Sequence, residues 1–223
     1  MLAAMATPAA SGTAQPGRDR RSPAKHAAIL NAATEVFLRE GYARASVDAI
    51  AEAAGVGKQT VYGHFGDKQR LFLAVVEHAH AASPLDQADL ITDTGDPQAD
   101  LTAAAKWLIR AVTAPEIAAL HRLTIAELTH HPELQRSWRD DERGQSIIAA
   151  IAAYLAGCDR RGTLAVPDPQ TAARQFVWLA SVEAQVRSLR GIEPLGGREI
   201  SSIARDTAAL IVRAHRPEPG ASS

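Results

Sequence analysis

Ser46-Val47-Asp48-Ala49-Ile50-Ala51-Glu52-Ala53-Ala54-Gly55-Val56-Gly57-Lys58-Gln59-Thr60-Val61-Tyr62-Gly63-His64-Phe65-Gly66-Asp67-Lys68 is the stretch whose reading decides the fold. It holds two short amphipathic segments separated by Gly55-Val56-Gly57. Ser46 is placed to cap the first, its hydroxyl accepting from a free backbone N–H, and Asp48 suits the positive first turn. Val47, Ile50, Ala51 and Ala54 form the inner face, and Gly55 closes it. Gly57 then caps a helix from Lys58 to Phe65. Val56 before that cap and Val61 after it can pack as a hydrophobic staple that fixes the entry angle. Gly66 stops the helix and Asp67 caps the next. Two short helices joined by a glycine-containing turn of about three or four residues make a helix-turn-helix, whose second helix can lie in the major groove of DNA.

At about 100° per residue, Val61 and Phe65 define the buried side of the second helix. Gln59, Thr60 and Gly63 point away from it, offering an amide, a hydroxyl and bare backbone to base edges. Tyr62 and His64 project along the flanks, where a phenol and an imidazole suit phosphates. Lys58 at the helix start, Lys68 at the start of the next helix, and Ser46 complete the candidate DNA contacts.

Working outward, the apolar positions Ile29, Ala33, Val36 and Phe37 predict a covering helix over Pro23–Glu40, ended by Gly41. Phe72, Val75, Val76 and Ala79 mark a longer helix after Asp67. Residues 83–98 hold Pro84, Gly95 and Pro97 among several Asp and read as a loop. Beyond them, helices are predicted at about 99–113, 115–130, 133–160, 168–190 and 197–214, punctuated by Pro115, Pro132, Pro167, Pro169, Pro194 and Gly196-Gly197. The expected organisation is a disordered arm (1–23), a helix-turn-helix head (24–66), a connecting helix (67–82), a larger helical body (83–216) and a disordered tail (217–223).

Composition agrees with an all-α chain. Apolar residues are 46% of 223, aromatics only 4%, and alanine supplies much of the rest, which favours helix. The net charge of −1 argues against a general polyanion binder. Residues 1–80 nevertheless carry nine Lys and Arg against seven Asp and Glu, a weakly positive head on an acidic body. The lone Cys158 excludes an internal disulfide and suits a reducing compartment. No stretch has the roughly 18 apolar residues of a membrane span, and the N-terminal segment lacks the pattern of a signal peptide. A cytoplasmic protein without a membrane partner is expected.

The quoted run closely resembles the DNA-binding head of TetR-type regulators. The covering helix, with Ala32-Ala33 and Phe37 before Gly41-Tyr42, is similar to that family as well. The resemblance covers roughly residues 24–80, and Gly57 stands where many relatives place Ser, at a cost of only a few tenths of a kcal/mol. The body resembles the AefR-like type of TetR C-terminal domain. The segments that carry this are Arg122-Leu123-Thr124-Ile125-Ala126-Glu127, His131-Pro132-Glu133-Leu134, Asp168-Pro169 and Ala172-Ala173-Arg174-Gln175-Phe176. The resemblance implies a homodimer built on the last two helices, a palindromic double-stranded DNA operator, and a pocket in the body for a small apolar effector. It thus implies a ligand-responsive repressor. No cofactor or metal is expected.

Candidate dimer residues are Val182 and Leu189 on one stripe, Ile203 and Leu210 on another. Trp107, Thr124, Trp138, Tyr154 and Phe176 combine bulk with polar handles, as ligand pockets do, although core packing explains the aromatics equally well. His130-His131 and His121 match no zinc spacing, and capping of a helix end suits them better. Cys158 reads as a small core residue more than an oxidant sensor. Arg18, Arg20 and Arg21 read as a solubilising arm more than a minor-groove contact. An enzyme has little to build on: there is no GxSxG, no phosphate-cradling glycine loop and no Cys–His constellation. A helical ligand carrier, or an interaction module that has lost DNA binding, would leave Gln59-Thr60-Val61-Tyr62 and Lys68 without a purpose.

Overall fold

The computed structural model describes residues 22–82, 90–127, 129–130 and 142–217. The expectations for the two termini, Arg18, Arg20, Arg21, His131 and Trp138 lie outside the described residues. Within them, all regular structure is α-helical: α1 (Pro23–Glu40), α2 (Val47–Ala53), α3 (Lys58–Phe65), α4 (Lys68–Ala81), α5 (Pro97–Thr113), α6 (Pro115–Glu127), α7 (Glu142–Arg160), α8 (Pro169–Arg187) and α9 (Gly197–Ala214). No helix among the described residues is long and apolar enough to cross a membrane.

Local chemistry sets most boundaries. Pro23, Pro97 and Pro169 stand in the first turns of their helices, where the missing N–H costs nothing. Ser46 Oγ accepts from the Ala49 amide at 3.0 Å and Asp67 Oδ1 from the Arg70 amide at 2.7 Å. Asp96 Oδ1 accepts from the Gln98 and Ala99 amides at 3.0 and 3.2 Å. That cap starts α5 at Pro97, ahead of the expected 99, because aspartate before proline is a stronger start signal than the first apolar residue. At its far end α8 stops at Arg187, short of the expected 190. Leu189, Arg190 and Gly191 follow with φ of 48°, 56° and 81°, a left-handed turn that only its glycine announces.

Among the described residues, two cores organise the packing. In the head, α1 packs on α2 and α4, α2 on α3, and α3 on α4. Phe37, Tyr42, Ile50, Phe65 and Phe72 are buried there together. Phe37 and Tyr42 both meet Phe72 edge-on, with centroids 5.1 and 5.0 Å apart, a favoured aromatic geometry. In the body, α5 is central, packed by α9 and α8, with α7 against α8. Leu101, Leu108, Ile109, Ile151, Leu155, Phe176, Ile203 and Ile211 are buried in that second core. α6 bridges the two: it packs on α1, α4 and α5, and its Ile117 and Leu120 belong to the head core. The head is thus completed by residues more than thirty positions beyond the end of α4.

Candidate nucleic-acid interface

The three glycines around the turn and stop, Gly55, Gly57 and Gly66, give α3 its aspect. Gly55 and Gly66 take φ of 64° and 82°, which L side chains rarely adopt, so both chain reversals are cheap only for glycine. Val61 and Phe65 are buried, and Val56 packs on the same core. Gln59 and Gly63 are exposed, Thr60 is half-buried, and Tyr62 is 39% exposed. An amide, a hydroxyl, a phenol and bare backbone therefore lie on the side of this short helix away from its core. A Cβ at Gly63 would meet nothing within 4 Å.

His64 departs from the expected symmetry with Tyr62. It is half-buried, its ring 5.5 Å from that of His26, which itself stacks on Phe65 at 4.7 Å. Both flanks of α3 are equivalent on a helical wheel, but α1 stands beside only one of them. The covered flank is the one His64 occupies.

The two lysines are also engaged inside the chain. Lys58 Nζ lies 2.8 Å from Asp48 Oδ2, joining the start of α3 to the first turn of α2. The hydrogen bond and charge of Asp48 hold its ammonium above the usual lysine range. Lys68 Nζ donates to the Ala43 carbonyl at 3.2 Å and sits 4.6 Å from the centre of the Tyr42 ring. Burial pushes its pKa down, while the Glu127 charge acts in the opposite sense. Lys68 thus pins the α1–α2 loop to the start of α4. Asp48 suits the helix dipole and Tyr42 the family resemblance, but their contacts with the two lysines, and that of His26 with His64, are not legible in the sequence: nothing in the linear order announces a partner ten positions away.

In the body, Trp107, Tyr154 and Phe176 are brought into one apolar core. Thr124 is buried on α6 and returns its hydroxyl to the Leu120 carbonyl at 2.9 Å. Tyr154 donates to Asp100 Oδ2 at 2.7 Å, and the same carboxylate accepts from the Thr94 amide and hydroxyl. Burial alone would raise the Asp100 pKa, but bonds from Thr94 and Tyr154 and the charge of Arg161 outweigh it and hold it low. Cys158 is buried beside this group, with Arg161 Nη2 3.5 Å from its Sγ. His130 is exposed in the turn after α6, its amide on the Glu127 carbonyl.

The four expected dimer residues divide. Val182, Leu189 and Leu210 are each more than half exposed, at 54%, 53% and 51%. Ile203 is 1% exposed and belongs to the core of its own chain, so it is corrected from interface to core. The buried set Ile203, Ala204, Thr207, Ala208 and Ile211 centres on a direction about 90° from Leu210 and somewhat nearer to Ile203. One stripe therefore straddles the border of the buried face. Trp178, Leu179, Val186 and Ile192 were missed, yet all are exposed. Trp178, Val182 and Val186 stand at i, i+4 and i+8, a spacing legible in the sequence. Together these residues leave a bare apolar surface on α8 and the segment that follows it, larger than singly scattered apolar residues give.

The geometry agrees with what the chain resembles among known proteins. The model for bacterial regulatory proteins of the tetR family matches residues 29–75, and that for the C-terminal domain of AefR-like transcriptional repressors matches residues 99–217. The HTH-type transcriptional repressor Rv3405c of Mycobacterium tuberculosis is 29% identical over 216 residues, covering 91% of this chain and all of that protein. The DNA-binding transcriptional repressor TetR of Mycobacteroides abscessus is 32% identical over 136 residues, which is 61% of this chain and 62% of the relative. The chain thus spans less than two thirds of that relative's length. Among solved structures, the flavonoid-responsive regulator FrrA superposes with a TM-score of 0.73 at 25% identity, covering 89% of this chain and all of that one.

Proposed function

The chain belongs to the TetR family of bacterial regulatory proteins, and from that membership we propose that it is a sequence-specific DNA-binding transcriptional repressor. It acts in the cytoplasm as a homodimer on a palindromic operator. The observation that carries this reading is the face of α3, where exposed Gln59, Tyr62 and Gly63 and half-buried Thr60 lie on the side away from the head core that seats the helix. Gln59 and Thr60 read base edges, and Ser46, Tyr62 and Lys68 serve the flanking backbone. A single short reading helix specifies few base pairs, so two heads at fixed spacing are needed. The exposed apolar face of α8, with Leu189 and Leu210, supplies the surface for pairing.

The test is selection of bound duplexes from random DNA by the full chain, followed by a salt titration. A recovered palindrome bound with steep salt dependence supports the reading. A pool that emerges unchanged overturns it.

A small, largely apolar effector is the second part of the proposal. Trp107, Tyr154 and Phe176 lie together in one apolar core, and Thr124 adds a buried hydroxyl on the helix that joins body to head. FrrA, a relative by fold, is named for its response to flavonoids. Such a ligand lowers operator affinity only by favouring a dimer whose heads are wrongly spaced, and operator DNA must then weaken the ligand by the same factor. Calorimetry giving one effector affinity with and without operator removes this part.

A further inference from the structure

The Asp48–Lys58 pair is an unusual thing to find on a face that is to meet phosphates. Lys58 directly precedes Gln59 and is the first residue of α3. Its partner is a carboxylate 2.8 Å away, and both side chains are open to solvent, at 47% for Lys58 and 68% for Asp48. Lys68, at the start of the next helix, is held by the Ala43 carbonyl and the Tyr42 ring. The face therefore presents its hydrogen-bonding groups freely and its lysine charges under restraint.

An exposed ion pair is weak and screened by salt, so a phosphate can draw Lys58 away. Doing so strips Asp48 of its counterion and leaves a carboxylate facing a polyanion. That penalty differs between sequences. At an operator the base contacts of Gln59 and Thr60 fix the register of α3 and Lys58 keeps Asp48; on other DNA no base contact fixes the register, binding rests on phosphates alone, and the full penalty falls on it.

We propose that Asp48 is a specificity-determining residue, which holds the charge of Lys58 off the DNA backbone and so suppresses sequence-independent binding. The inference rests on the DNA-binding reading above and adds to it how discrimination is maintained. It places the discrimination in a residue that touches no base.

The test uses the full chain with two duplexes of equal length: the sequence recovered by selection and a scrambled one. Affinities are measured over a potassium chloride series for the wild type, Asp48→Asn, Lys58→Gln and the double variant. In Asp48→Asn, binding to scrambled DNA strengthens by about 3- to 10-fold at low salt, and the salt slope steepens by about one unit per head as Lys58 moves to a phosphate. Operator affinity rises less, so the ratio between the two duplexes falls. In the Lys58→Gln background, Asp48→Asn leaves the slope unchanged. A slope that Asp48→Asn does not alter overturns the proposal. So does a steeper slope that survives in the double variant, because Asp48 would then act without Lys58. A wild type that binds both duplexes equally sinks the sequence-specific reading itself, a distinct result.

Discussion

Gly63 lies in the middle of α3 with nothing to require it. Its backbone is helical, it is exposed, and a Cβ built on it meets open space. Glycine in a helix interior costs about 0.5–1 kcal/mol against alanine. Gly63→Ala is therefore expected to stabilise the fold by about 0.5–1 kcal/mol, read as a higher melting temperature, while changing operator affinity or preference. Unchanged binding alongside raised stability would make Gly63 a spectator of recognition. For its neighbours the expectation divides by chemistry. Alanine at Gln59 or Thr60 relaxes discrimination at one operator position by about 1–3 kcal/mol. Alanine at Lys68 weakens binding to all sequences. It also destabilises the head, because the Ala43 carbonyl and the Tyr42 ring lose their partner. Comparing selected sequences for each variant decides this, and a changed consensus in the Lys68 variant contradicts it.

Between α8 and α9 the chain spends three consecutive residues in left-handed conformations, Leu189, Arg190 and Gly191. This element is seated on α6. A Cβ at Gly191 would come within 2.4 Å of Ala118 Cβ, and Arg122 Nη1 donates to the Arg190 carbonyl at 2.6 Å. Gly191→Ala should destabilise the chain by about 2–4 kcal/mol, combining left-handed strain with overpacking. Adding Ala118→Gly should recover the overpacking part and leave the strain. Thermal melts within about 0.5 kcal/mol of wild type for the single variant would contradict the close contact. The same junction holds His121, whose imidazole is pushed down to about 4 by burial and by the charges of Arg190 and His80. An unfolded histidine titrates near about 6.5. Between these values the unfolded chain binds more protons, so stability falls as pH drops through that window. With allowance for partial exposure, the loss is roughly 1–2 kcal/mol. Urea unfolding at several pH values should show His121→Gln losing less than the wild type; parallel curves would clear His121.

For the whole molecule, the open question of surface is the apolar face of α8. Trp178, Val182 and Val186 are 57%, 54% and 63% exposed, more than a solitary chain of this size needs to leave bare. Val186→Glu is expected to shift the chain from dimer to monomer in light scattering at micromolar concentration. The head should stay folded, since Val186 is not part of its core. Operator affinity should fall steeply because one short helix reads too little alone. A monomeric wild type with full operator affinity would remove dimerisation from the account.

Local chemistry makes much of this protein legible in its sequence. Capping residues, glycine stops and an unbroken apolar rhythm fixed α1 to α4 almost to the residue, because helix ends are settled by groups within a few positions of one another. The reading face followed, since Val61 and Phe65 define the inside of an eight-residue helix without help from elsewhere. What the sequence left undecided were relations between distant segments. That α6 completes the head core, that Asp48 takes Lys58, that Lys68 ties down the Ala43 carbonyl, and that α1 covers His64 all depend on which surfaces meet. Ile203 and Leu210 make the point most simply. They share a stripe by spacing, but only the packing of α9 on α5 draws the border between them, burying one and leaving the other to solvent. Periodicity gives the direction of a side chain about its own helix, and only tertiary packing decides what stands in that direction.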